Sequence, residues 1–134
     1  MTSDKVLMGL KLSKYILSAI ANKARENNIK FYVVFIPSRV SVVLPYLEKR
    51  GYRLPKIAYK SVENEVYVEN IVQNYLKNIG VQSISARPNL ISAMDTETNI
   101  YPYREETHPL GIGYRAIAQS VFEAFYSTEI DIKR

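Results

Sequence analysis

The sequence predicts an α/β domain, a three-layer α/β/α arrangement on a parallel sheet that fills residues 1–134 as a single unit. Three observations lead there. The run Phe31-Tyr32-Val33-Val34-Phe35-Ile36, closed by Pro37, is continuously aromatic and β-branched, the pattern of a strand buried on both faces. Helical periodicity precedes it and separates it from a second strand-like run, Val81–Ala86, so that helices and strands alternate as they do around a parallel sheet. With 47% hydrophobic and 23% charged residues, no internal repeat and no linker, the 134 residues suit one soluble core.

Each element has a local reason. From Leu10 to Asn28 the apolar positions Leu12, Ile16, Leu17, Ile20, Ala21 and Ala24 recur at spacings of three and four, a helix with a buried stripe that stops at Asn27-Asn28. After the first strand, Ser38–Gly51 ends in a helix with Pro45 in its first turn and Gly51 beyond its last. Residues Gly51–Lys60 read as a basic loop. A helix follows from Ser61, carrying Val62, Val66, Ile71, Val72, Tyr75, Leu76 and Ile79 on one side and ending at Gly80. Beyond the second strand, Pro88–Met94 supplies one or two helical turns. Gly113–Phe125 closes the chain as an amphipathic helix, with Tyr114, Ile117, Ala118, Val121, Phe122 and Phe125 at helical spacing.

Composition removes several kinds of chemistry. The absence of cysteine excludes a disulfide scaffold, a thiolate nucleophile and Cys-ligated metal. One histidine, His108, excludes a multi-histidine metal site, so no metal and no cofactor are expected. The net charge of +5 hides an asymmetry: residues 1–60 hold twelve basic and three acidic side chains, residues 61–134 six and ten. Lys49, Arg50 and Arg53 stand among Tyr52, Lys56, Tyr59 and Lys60 as candidate anion-binding residues, either engaging an anion or forming a solvated surface loop. Nucleic acid is not the expected partner, since no aromatic-rich strand motif, glycine-rich clamp or zinc spacing accompanies them. The longest apolar block is strand-length and the N-terminus has no signal-peptide pattern, so the chain as written reads as cytoplasmic or as a piece of something longer, with no membrane span.

His108 is the one imidazole for acid–base chemistry near neutral pH. Glu105 and Glu106 precede it by three and two residues, so a short turn brings either carboxylate against Nδ1 and leaves Nε2 outward as a general base. The other reading of the same residues is a histidine at a helix start beside two surface glutamates.

Glu105-Glu106-Thr107-His108-Pro109, followed by Gly111-Ile112-Gly113-Tyr114 and Ile117-Ala118, resembles the last block of the SGNH (GDSL-type) hydrolases, an Asp-x-x-His-Pro motif ahead of the C-terminal helix. Phe31–Ile36 with the following Pro-Ser-Arg-Val-Ser-Val is similar to the late strand and helix of SGNH-like domains in alginate O-acetylation proteins. The resemblance implies an SGNH/flavodoxin-like fold and a serine ester hydrolase or O-acetyl transferase acting on an ester or acetylated carbohydrate. It makes His108 the catalytic base, oriented by Glu105, or by Glu106 if the spacing follows the acetylation-type Asp-x-His. The family's nucleophile and oxyanion blocks have no counterpart, so the chain looks like a truncated half-domain. Ser38, at the carboxyl end of the first strand, is a speculative nucleophile and equally a helix-start serine. Three readings stand open: part of an SGNH-type enzyme, a non-catalytic remnant that self-associates through an exposed sheet edge, or a small basic module binding an anion or nucleic acid.

Overall fold

Asp4 near the start and Lys23 and Arg25 near the end complement the dipole of α1 (Asp4–Glu26), the first of five helices in a computed structural model that describes residues 4–97, 100–102 and 108–131, with side chains through Tyr126. The order continues β1 (Tyr32–Phe35), α2 (Arg39–Lys49), α3 (Lys56–Asn78), β2 (Gln82–Ser85), α4 (Arg87–Thr96) and α5 (Gly111–Asp131). The first three helices stop in the same way. A residue with positive φ follows the C-cap of each, and the next amide reaches back to a carbonyl near the helix end: Ile29 N–H to Ala24 at 2.8 Å, Tyr52 N–H to Leu47 at 3.0 Å, Val81 N–H to Leu76 at 2.9 Å. Gly51 and Gly80 take this conformation without a Cβ penalty, and Asn28 takes it as the residue type that tolerates it best after glycine.

The chain forms two compact units, residues 1–33 with 64–83 and residues 34–63 with 84–134; the division passes through both strands and through α3. In the first unit Ala21 is buried on α1, and Val72 and Leu76 on α3. Three polar contacts join the same helices: the Ser18 and Tyr75 hydroxyls are hydrogen-bonded, the Lys14 ammonium lies 5.2 Å from the Tyr75 ring centre, and Arg25 donates to the Ile79 carbonyl. In the second unit α4 packs against both α2 and α5, around a core of Val42, Leu90, Met94, Ile100, Tyr101 and Ala116. At the surface of that unit Asn89 and Gln119 each donate to the Glu123 carboxylate at 2.9 Å, and these bonds hold its pKa below the ordinary glutamate value.

The fold class differs from the sequence expectation. The two strands are parallel neighbours as expected, but they are four residues each and form a two-stranded sheet, and the described chain is mostly helical. It is not a three-layer α/β/α, SGNH/flavodoxin-like fold. The physical reason lies in β1: every residue of the strand is only half-buried, and Ile36 beyond it is 55% exposed, whereas a three-layer sheet covers such a run on both faces. Smaller corrections have local causes. α2 starts at Arg39 because Ser38, extended at φ −62° and ψ 154°, caps it, so Pro45 sits inside the helix rather than in its first turn. An interior proline costs about 3 kcal/mol, and packing of α2 on α4 through buried Val42 offsets that cost. α3 begins at Lys56, taking in half of the expected basic loop. On α1, Leu17, Ala21 and Ala24 are covered as expected, but Leu12, Ile16 and Ile20 face solvent.

Leu90 is fully buried between the helices that meet on α4. Leu90→Ala should lower the unfolding free energy by about 3–5 kcal/mol in urea titrations, near the upper range for a leucine truncation in a core that cannot collapse.

Candidate functional site

The carboxyl end of β1 opens onto a cleft of ≈ 830 Å³ within the second unit. Its floor is Ile36-Pro37-Ser38, the three residues between β1 and α2. One wall is α2, where Val40, Val43 and Leu47 fall at i, i+3 and i+7 and so line a single stripe. Leu54 and the first turns of α3, at Ile57, Ala58 and Ser61, form the other wall. His108 and Pro109 stand at the rim.

The position of His108 follows from packing behind it. Leu110 N–H donates to the Ile100 carbonyl at 2.7 Å, which ties the segment after His108 to the buried Ile100-Tyr101 pair. Gly113 completes the clamp: a Cβ there would meet Pro109 Cβ at 2.5 Å and Ile100 Cγ2 at 2.9 Å, so only glycine lets α5 come this close. The imidazole itself is exposed.

Ser38 shares the cleft with His108. Its Oγ accepts from Ser41 N–H at 3.4 Å and donates to Ser41 Oγ at 3.3 Å, so it caps α2 while lining the cleft. Arg39 is the cation among the described lining residues; its guanidinium lies 5.8 Å from the Tyr101 ring centre, within cation–π range. The described lining thus combines a few polar groups (Ser38, Arg39, Ser61, His108) with largely aliphatic walls.

Glu105 and Glu106 lie outside the described residues. The candidate anion-binding cations are placed at and beyond the far end of α2. Lys49 forms an ion pair with Asp95, and Arg50 donates to the Tyr46 carbonyl at 3.4 Å and stacks 3.6 Å from the Tyr46 ring centre. Arg53 is exposed in the segment between α2 and α3. Two of the three are therefore engaged within the chain. Among the described residues no three His, Asp or Glu side chains gather as a metal site, and no helix is long and apolar enough to cross a membrane.

Compared with protein-family models, curated proteins and solved structures, the chain matches none.

His108 and Ser38, singled out in the sequence, border one cleft, but the wall opposite α2 had no counterpart in the sequence expectation. Leu54, Ile57, Ala58 and Ser61 have helical spacing, and the interspersed Lys56, Tyr59 and Lys60 made the segment read as a loop. Arg39 had no signal of its own in the sequence; its role depends on the bend between β1 and α2.

Gly113→Ala should lower stability by about 1–3 kcal/mol, as overpacking does, and should shift the NMR signals of His108 and Pro109 more than those of α1. A variant as stable as wild type, with unmoved His108 signals, would remove the clamp.

Proposed function

We propose that the cleft is the acyl-transfer site of a serine ester hydrolase or O-acetyl transferase, with His108 as general base in a motif like that of the SGNH enzymes though not on their fold. The observation that carries this reading is the shared cleft: the chain's only imidazole and a serine hydroxyl border the same largely aliphatic space at a strand's carboxyl end. The Glu105-x-x-His108-Pro109 motif supports it from the sequence, with Glu105, or Glu106, orienting the imidazole.

The reaction needs few parts. His108 Nε2 takes the proton of a hydroxyl in the cleft as its oxygen attacks the ester carbonyl. The imidazolium then returns that proton to the leaving alcohol. Water, activated by the same imidazole, releases the acyl group in hydrolysis; an acceptor sugar hydroxyl does so in transfer. Ser38 is this chain's hydroxyl at the β1 end of the cleft, where Ser61 lines the wall on α3, and a serine from outside the chain is the alternative nucleophile. The dipole at the α2 N-terminus and the Arg39 guanidinium favour the negative charge that develops on the carbonyl oxygen.

A second proposal concerns self-association. α1 carries apolar residues around most of its circumference, with Met8, Leu12, Tyr15 and Ile16 exposed opposite the covered Leu17 and Ala21. Among the described residues each strand of the sheet also has one neighbouring strand. Both features suit a second copy of the chain.

Turnover of p-nitrophenyl acetate by the purified chain should fall to background on His108→Ala; an unchanged rate would overturn the base assignment. Ser38→Ala should remove an acyl-enzyme burst if Ser38 attacks, and should leave turnover intact if the nucleophile comes from elsewhere. Light scattering should give at least a dimer that Leu12→Glu/Ile16→Glu converts to monomer, whereas a wild-type monomer at high concentration would end the self-association reading.

A further inference from the structure

The polarity of the cleft is ordered along its length. Ser38 and Arg39 stand where β1 passes into α2, His108 borders the same cleft, and from Val40 to Leu47 the α2 wall is aliphatic, faced by Leu54, Ile57 and Ala58 with Ser61 one turn further along α3. An acetyl group would use only the first part of that space. Seven residues of helical rise, from Val40 to Leu47, span about 10 Å, roughly the extended length of an eight-carbon chain. The volume of ≈ 830 Å³ is also within the usual range for sites that enclose most of a small ligand.

We propose that the cleft binds a medium-chain acyl group lengthwise along α2, with its carboxylate or ester head at Ser38, Arg39 and His108 and its tail against Val43, Leu47 and Ile57. The identity of the head as a reacting ester rests on the acyl-transfer reading above; binding of the chain does not. Charge complementarity fixes the direction. Arg39 and the positive end of the α2 dipole lie at one end, and among the described residues no charged side chain lines the Leu47–Leu54 end. A reversed chain would place a carboxylate among aliphatic side chains, which is strongly unfavourable.

Ile57 gives a clean handle. It lines the cleft yet is 73% exposed, so a polar replacement leaves the core intact while putting charge beside the tail. Calorimetric titration of the 134-residue chain with sodium octanoate and with sodium acetate provides the test. Octanoate should bind saturably, on the order of a hundredfold more tightly than acetate, as expected from partial burial of six additional methylenes. Ile57→Asp should weaken octanoate at least about tenfold with unchanged circular dichroism, and Arg39→Gln should weaken octanoate more than octan-1-ol, which has the tail without the charge. Equal affinity for octanoate and acetate, no saturable octanoate binding, or wild-type affinity in Ile57→Asp would each overturn the proposal. Octanoate binding without ester turnover supports the cleft assignment and counts against acyl transfer. Turnover of p-nitrophenyl acetate without octanoate binding does the reverse.

Discussion

α5 lies against the segments at 100–102 and 108–110 because residue 113 has no side chain. Pro109 and Ile100 occupy the space a Cβ would take, and the Leu110 amide bonds to the Ile100 carbonyl on the same side. Ile100 and Tyr101 are in turn buried in the core that α4 shares with α2 and α5. His108 is exposed but not adrift: the residue after it is held by this contact, and the cleft's rim is set by the core. Loss of the contact would affect the cleft before it affected the first unit, whose buried residues Ala21, Val72 and Leu76 belong to other helices.

How much of this was legible in the sequence depended on whether the signal was local. Helix ends were. Gly51, Gly80 and the Asn27-Asn28 pair were read as stops, and all three close with the same back-bonded turn. The strand core at 32–35 was also local, because an aromatic and β-branched run differs from its helical flanks, whereas 82–85, Gln-Ser-Ile-Ser, was marked chiefly by its place just after the Gly80 stop. The layer count was not. Phe31–Ile36 has the same composition whether its sheet has two strands or five, and the two-stranded sheet shows in the strand pairing and in the half-exposure of β1. For the same reason Leu12, Ile16 and Ile20 joined the expected buried stripe of α1: periodicity identifies a helix, but on a helix that is apolar around most of its circumference it cannot say which face is covered.

Within the candidate site, uniqueness of residue type was the strongest sequence signal. One histidine beside two glutamates, ahead of a helix, drew attention to 105–109, and the fold sets His108 beside a cleft that also holds Ser38. The aliphatic walls were not readable, since Leu54 and Ile57 sit in a stretch dominated by lysine and tyrosine and become a wall only when the turn after Gly51 brings α3 opposite α2. The cations at 49 and 50, conspicuous in sequence, have contacts within the chain that sequence did not show: one pairs with Asp95 and the other covers Tyr46.

Because His108 is the only histidine, its ring protons give one assignable pair of signals in a carbon-edited NMR spectrum. Nuclear Overhauser contacts from that ring test most directly whether the imidazole faces the cleft. The structure predicts cross-peaks to side chains of the 36–40 segment, among them Ser38 or Val40, and their weakening in Gly113→Ala. Cross-peaks confined to its own sequence neighbours, with none to the β1–α2 junction, would contradict the placement of His108 and with it the site.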